Sequence, residues 1–242
     1  LILDNMKKIE SEQKKSQPIE LLPQIHRSDI SSEVDFKSAD QVVDDGKINV
    51  FLNPTNGVVY ARITISNIGC DIPNLWMIQF LNAVNRAVGA GRFNEYELST
   101  YIKRWVSAMN VVCMTEETID GKSKVVISIN CTSLNEDVDK LTELMKVKST
   151  QVHWDNLEKV EIVTNQFRNI LGKLIFGNID SFNTIRAGAI LDKENAFEEA
   201  VNGLTGFNKF CEFLQNKSIK EIAETCEKVY NQILTHGEIK AY

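Results

Sequence analysis

Histidine is scarce in this chain of 242 residues, which contains only His26, His153 and His236. No two of them stand at i, i+4, and neither H-E-x-x-H nor H-x-x-E-H occurs. Closely spaced ligands are the usual signature of a protein zinc site. The sequence therefore predicts no metal ligand and no catalytic residue in this chain.

An excess of positive charge and long apolar runs are also lacking. Lysine and arginine total 27 against 33 aspartates and glutamates, which gives a net charge of −6 and a pI near 5.3. Nucleic-acid phosphates are bound by clustered Lys and Arg, and a membrane span needs roughly 20 apolar residues in a row. The composition argues against a nucleic-acid partner and a membrane partner.

The cysteines form no C-x-x-C pair, which argues against a structural zinc site. Their number is odd, and two of them fall in strand patterns and two in helical patterns. Buried, reduced thiols are typical of an intracellular, reducing compartment, so we expect that environment here. The five cysteines are Cys70, Cys113, Cys131, Cys211 and Cys226.

Short motifs that resemble reactive sites have structural interpretations. Residues 88–92, VGAGR, contain G-x-G but lack the preceding strand of a dinucleotide-binding fingerprint, so they predict a helix terminus. Residues 186–189, RAGA, predict close helix packing with Arg186 facing a carboxylate. Solvated surface is the expectation for the three acidic pairs, Asp44-Asp45, Glu116-Glu117 and Glu198-Glu199.

The chain divides into three regions by composition. Residues 1–15 have helix-forming composition and no N-cap, as at the end of a longer linker helix. Residues 16–46 form a connector that contains two of the four prolines and ends in the turn signal Asp44-Asp45-Gly46. Residues 47–242 form the folded domain. Because the chain begins in mid-pattern without Met, we expect it to be part of a longer protein.

Alternation of apolar and polar residues predicts two β-hairpins. Residues 48–53 and 58–66 alternate on either side of Asn56-Gly57, which supplies the positive-φ residues that a tight hairpin turn requires. Residues 110–116 and 124–132 form the second pair, in which the apolar residues of the second strand share one face. These segments predict antiparallel strands with one buried face.

The remaining segments have helical patterns. Two helices are predicted between the hairpins, the second over residues 95–108, and several follow the second hairpin. Capping boxes are predicted at Ser133, Asp155 and Ser218, each followed by Glu three residues later. Because strands and helices segregate along the chain, the predicted fold class is α+β, with helices packed on one face of an antiparallel sheet.

Five segments together resemble the third domain of presequence protease and falcilysin, which are insulinase-like zinc metallopeptidases of the pitrilysin family. "PTNGVVYARI" resembles the family's P-T-N-G-[MIV]-V-Y, and "AVGAGRFNEYELSTYI" its L-G-x-G-x-x-x-Y-x-E-x-x-x-x-I. "LLPQIHRSDI" resembles L-P-x-L-x-x-S-D-I, and "NIDSFNTIRAGAIL" resembles the segment with S-x-R-A-G-x-x-L. The segments occur in family order, at residues 21–30, 54–63, 87–102, 178–191 and, with "GLTGFNKF", 203–210.

The resemblance implies a non-catalytic domain of a larger enzyme. In that family four related domains form two halves that close around an unfolded peptide. Zinc and the catalytic Glu belong to the first domain, so no zinc in this chain is implied. The implied partners are the other domains of the parent chain and the peptide substrate. Relatives of this kind work in mitochondria, plastids or digestive vacuoles.

One departure from the family pattern stands out, and two alternatives stay open. Val106-Ser107-Ala108 occupies the place where the family tends to have T-G-G. A structural or assembly subunit of the same fold, whose parent is not a peptidase, would have the same sequence features. An unrelated α+β interaction domain is the other alternative. If strand 58–66 lies at a sheet edge, it is the candidate substrate-binding element, through Val58, Tyr60, Arg62 and Thr64.

Overall fold

A computed structural model describes residues 38–68, 73–118, 120–191 and 193–242. The predicted helix at residues 1–15, most of the connector, His26 and Cys70 lie outside the described residues. Residues Ala39–Tyr242 form one unit by their internal contacts. The last residues of the predicted connector belong to this unit, since they form the first strand and the turn that follows it.

A six-stranded sheet with the order β1-β2-β6-β3-β5-β4 organises the described residues. Neighbouring strands are antiparallel except β2 and β6, which are parallel. The two strand pairs made by β5 extend over ten or more residues, so β3, β5 and β4 form the rigid centre of the sheet. The strands are β1 (Gln41–Val43), β2 (Ile48–Val50), β3 (Val58–Ile68), β4 (Ala108–Glu117), β5 (Ser123–Leu134) and β6 (Glu238–Ala241).

The first predicted hairpin is wrong, because β2 does not pair with β3. The strand β6 lies between them and pairs with Ile63–Ser66 of β3. Asn56 and Gly57 do adopt positive φ, 51° and 82°, but residues 51–57 lie outside any strand. A hairpin requires both strands to continue up to the turn, so this turn changes the chain direction without closing a hairpin. The second predicted hairpin is confirmed as β4 and β5.

Helices cover one face of the sheet, and the predicted α+β class is confirmed. Contacts join α1 to β4, α3 to β5 and α8 to both β3 and β5. Within the described residues no helix is long and apolar enough to cross a membrane. The helices are α1 (Ile78–Ala87), α2 (Glu95–Trp105), α3 (Val138–Thr150), α4 (Leu157–Gly177), α5 (Ile179–Gly188), α6 (Lys193–Val201), α7 (Leu204–Asn216) and α8 (Ile219–His236).

The core lies between this helical layer and one face of the sheet. The predicted apolar face of β5 is confirmed, since all four of its side chains are buried there. Aromatic rings fill the space between α1, α4 and α7: the ring of Phe80 lies 5.2 Å from Phe167 and 5.6 Å from Phe210. The buried face of β5 consists of Val125, Ile127, Ile129 and Cys131.

Two of the three predicted capping boxes are wrong. Ser133 is still within β5, because the strand extends two residues beyond the prediction, and the cap of α4 is Asn156 rather than Asp155. Ser218 forms its box with Glu221 as predicted. The helix predicted over residues 95–108 ends at Trp105, because the next residues begin β4.

Candidate functional site

The face of the sheet opposite the helices carries polar side chains, and we call it the polar face. Successive residues of a strand point to opposite faces, so the even-numbered residues of β3 and β5 lie there, opposite the buried odd-numbered ones. Register places them in cross-strand rows, with Tyr60 beside Thr132, Arg62 beside Asn130 and Thr64 beside Ser128. The polar face consists of Tyr60, Arg62, Thr64, Ser128, Asn130 and Thr132.

A hydrogen-bond cluster fixes the centre of the polar face. Arg62 Nε donates to Ser128 Oγ at 3.1 Å, and Asn130 Nδ2 donates to the same oxygen at 3.2 Å. Ser128 is 1% exposed, whereas Arg62 is exposed. The serine therefore anchors the guanidinium stem, and the outer guanidinium nitrogens face solvent without a carboxylate partner among the described residues.

One end of β3 has an open main-chain edge. Arg62 exchanges both backbone hydrogen bonds with Tyr242, at 2.9 and 2.8 Å, where the pairing with β6 ends. Alternate residues of an antiparallel strand direct their N–H and C=O to the same side, so Tyr60 directs its groups toward this open side. Its side chain is 68% exposed. The condition for substrate pairing is thus met at Tyr60 but not at Arg62 or Thr64.

The polar face can bind a chain more readily than it can transform one. Ser128 accepts hydrogen bonds from an arginine and an amide, and neither group can remove its proton, as a nucleophilic serine requires. In the described ranges no cluster of three or more His, Cys, Asp or Glu could hold a metal ion. The available chemistry is one cation, several amide and hydroxyl groups, and a short strand edge.

The glycine motif predicted as a helix terminus is one. After α1 ends, Ala90 N–H donates to Phe93 O, Gly91 N–H donates to Gln151 O, and His153 N–H donates to Gly89 O. His153 Nε2 also lies 2.8 Å from Gly91 O. A phosphate cradle needs free N–H groups, and those of Ala90 and Gly91 are occupied by the chain itself.

Burial accounts for the described cysteines. Cys113 and Cys131 lie in strands, Cys211 and Cys226 in helices, as predicted, and all four are free thiols. Burial raises the pKa of Cys113 and that of Cys131 to about 12. It also raises the pKa of Cys226. A nucleophilic cysteine requires a lowered pKa, so these three thiols are not suited to catalysis.

The expectation of solvated surface is wrong for Glu199, which is 8% exposed. Glu199 Oε1 accepts hydrogen bonds from the backbone and hydroxyl of Thr205 at 3.1 and 2.9 Å. The predicted carboxylate partner of Arg186 is this residue, at 3.5 Å. Glu199 therefore ties α5 and α6 to the start of α7. Adjacent acids in sequence gave no signal of this burial, because it depends on a helix packing at a distance.

Sequence reasoning missed Ser128 and Asn130. The signal was available, since polar residues alternate with the apolar ones along β5 and register with those of β3. Only the paired register, however, shows that Arg62 and Asn130 converge on one serine.

Comparison with solved structures gives the fold. A conserved protein from Enterococcus faecalis V583 matches with a TM-score of 0.57 and 8% identity, over 80% of this chain and 45% of that one. The periplasmic protease PqqL from Escherichia coli gives 0.47 and 13%, over 77% and 19%. A peptidase M16 inactive domain from Pseudomonas fluorescens gives 0.35 and 13%, over 75% and 40%. This chain therefore spans less than half the length of these proteins.

Comparison with protein families is more direct. No curated protein matches the chain at a significant level. The family described as associated with peptidase M16, subfamily C, matches residues 1–213, which is most of the sequence. That match includes the polar face on β3 and β5 and the helices α1 to α6. The chain belongs to this peptidase-associated family of M16, subfamily C.

Proposed function

We propose that this chain is a non-catalytic domain of a zinc metalloendopeptidase of the presequence protease and falcilysin type, the third of four related domains. The polar face carries the proposal, since a hydrogen-bonding sheet surface opposite the helical layer suits the wall of a chamber that holds unfolded peptides. The parent's first domain would supply zinc and the catalytic Glu. This chain would supply enclosure, with residues 1–15 as the end of the linker helix and residues 16–46 as the connector.

The substrate-binding element in this proposal is β3, through Val58, Tyr60, Arg62 and Thr64. Main-chain pairing does not depend on side-chain identity, so an added peptide strand would be bound regardless of its sequence. Tyr60 would provide that pairing, since its N–H and C=O face the open edge. Arg62 would contact peptide carbonyl or carboxylate oxygens through its outer guanidinium nitrogens.

The partners in this proposal are the remaining domains of the parent chain and an unfolded peptide. The compartment would be reducing, because the described cysteines are free, and a mitochondrion, plastid or vacuole would fit the family. A structural or assembly subunit with the same fold is the alternative, and it differs only in lacking H-x-x-E-H upstream of Leu1. The family match removes the third alternative, an unrelated α+β domain.

The test uses the full-length protein encoded by the gene. We expect H-x-x-E-H upstream, stoichiometric zinc by elemental analysis, and cleavage of unstructured peptides. Arg62→Gln should raise KM for a peptide of about 20 residues roughly three- to tenfold with little change in kcat, because it removes a binding contact remote from zinc. Arg104→Gln, an exposed arginine of α2, is the matched control and should leave KM unchanged.

Two results would contradict the proposal in different ways. A parent without H-x-x-E-H and without peptidase activity would favour the assembly subunit. An active parent in which Arg62→Gln and Arg104→Gln behave alike would remove the polar face from the substrate path.

A further inference from the structure

A small cavity opens beside the outer edge of the sheet. Its volume is about 250 Å³, and it lies between β4, the last turn of α1 and one side of α2. Drug-sized ligands occupy pockets of roughly 300–1,000 Å³, so this space suits the end of a chain rather than a whole ligand of that size. Its walls include Arg86, Leu98, Ile102, Lys103, Met109 and Val111.

The edge of β4 offers backbone hydrogen-bonding groups to this cavity. Cys113 directs its N–H and C=O away from β5, because both groups bond to the side chain of Asn82 on α1, at 2.6 and 2.7 Å. Every second residue of an antiparallel strand faces the same side, so Val111 and Met109 point their groups outward too. Within the described ranges these two residues have no backbone partner on that side.

Asn82 also limits how far an added strand can extend. Its buried side chain, 5% exposed, occupies the place that the next residue of an added strand would take. A chain that pairs with Met109 and Val111 therefore has to end before Cys113. The geometry selects a chain terminus and excludes a continuous strand.

Charge selects which terminus. Arg86 and Lys103 are exposed at the cavity and have no ion pair among the described residues. Lys148 adds a buried ammonium, which donates to Asn85 O at 2.5 Å and Val88 O at 3.1 Å. The acidic residue of the cavity, Glu95, is paired with Lys159 at 3.1 Å. The uncompensated charge is positive and complements a carboxylate.

We propose that this cavity binds the carboxyl terminus of an extended peptide. The last residues pair with the edge of β4 at Met109 and Val111 and run in the same direction as that strand. The terminal side chain packs on the apolar wall formed by Leu98 and Ile102. The terminal carboxylate lies near Arg86 and Lys103. Main-chain pairing supplies affinity and the carboxylate supplies register, as in other sites that add a strand to a sheet edge.

This inference goes beyond the proposed chamber role. The cavity lies at the edge of the strand farthest from β6, and its walls include no residue of the polar face. Its test requires no zinc and no peptidase activity, so it can fail or succeed independently of the proposed function.

The experiment measures peptide binding to the full chain by titration calorimetry. The probe is the tetrapeptide acetyl-STVV with a free carboxylate, and its comparison is the same peptide with a C-terminal amide. The free acid should bind at least about tenfold more tightly, because a charge-assisted hydrogen bond is lost in the amide. N-methylation of the last amide should also weaken binding, because it blocks pairing with β4.

Variants locate the site. Arg86→Gln with Lys103→Gln should abolish the preference for the free acid, whereas Arg104→Gln, the neighbour of Lys103 that stacks on Trp105, should retain it. The comparison of acid and amide on the unmodified chain does not depend on how the variants fold. Equal affinity for the two peptides, or no binding of the acid at millimolar concentration, would overturn the proposal.

Discussion

The side chain of Asn82 forms both hydrogen bonds of a neighbouring strand with the backbone of Cys113. Asn82 Oδ1 accepts from Cys113 N–H at 2.6 Å and Nδ2 donates to Cys113 O at 2.7 Å. An exposed sheet edge invites pairing with another chain. One amide from α1 therefore closes the middle of the edge of β4 and attaches this helix to the sheet.

Asn82→Leu should destabilise the protein by about 3 kcal/mol, because two buried backbone groups lose their partners at roughly 1–3 kcal/mol each. Urea denaturation measures the free energy of unfolding. Asn208→Leu, at an exposed position of α7, is the control and should change it by less than about 0.5 kcal/mol. Equal effects of the two substitutions would show that the Asn82 bonds contribute little.

Gly89→Ala should be among the most damaging substitutions outside the core. A Cβ at this position would collide with the carbonyl oxygen of Phe93, and backbone atoms cannot move away as a side chain can. We expect a loss of at least about 3 kcal/mol in the free energy of unfolding.

Gly172→Ala provides the contrast within the same protein. Gly172 lies inside α4, and a Cβ there would meet no atom within 4 Å. Because Ala has a higher helix propensity than Gly, this change should stabilise the protein by about 1 kcal/mol. A destabilising Gly172→Ala, or a neutral Gly89→Ala, would contradict the described backbone.

Lys148 should make stability rise with pH in the alkaline range. Burial lowers the pKa of Lys148 from 10.5 to about 8. Between these values the unfolded state binds more protons than the folded state, so the free energy of unfolding increases as pH rises. The gain is on the order of 3 kcal/mol at about 1.4 kcal/mol per pKa unit.

The measurement compares the unmodified chain with Lys148→Met between about pH 7.5 and 10.5, the range that spans the two pKa values. The difference in free energy of unfolding between the two should grow with pH, because other titrating groups cancel. Lys146→Met, which removes an exposed lysine of the same helix, should show no such growth. A pH-independent difference for Lys148→Met would mean that the folded state holds its proton as firmly as the unfolded state.

Thiol reactivity should distinguish one of the described cysteines. Cys211 is half-buried, whereas Cys113, Cys131 and Cys226 are buried. In a Cys70→Ser background, an aromatic disulfide reagent should modify Cys211 first, and the other three only as the protein unfolds, because reaction requires an accessible thiolate. Mass spectrometry of the labelled peptides identifies the site. Rapid labelling of Cys113 would contradict its burial beneath α1.

Much of the fold could be predicted from local patterns. The alternation in β5 gave its buried face, because side chains of a strand point to alternate faces whatever their partners. The capping box at Ser218 was predictable for the same reason, since both of its partners lie within one helical turn. Ser133 had the same signature and failed, because β5 continues through it and fixes its backbone as extended.

The candidate site depends on residues that are distant in sequence. Nothing near Tyr60 or Arg62 shows that the C-terminal residue Tyr242 ends the pairing between them. The missed insertion of β6 has the same cause, since Ile63 and Ala241 pair across 178 positions (241 − 63). Short strands of three or four residues carry too little pattern to specify a partner at that distance.

The sequence by itself determined which segments become strands or helices and which of their faces is apolar, because those features depend on neighbours a few positions away. Tertiary structure alone decided which strand lies beside which, where Asn82 closes an edge, and why Glu199 is buried. These depend on which surfaces meet when the helical layer packs on the sheet, and the free energy of that packing is shared among residues that are far apart along the chain.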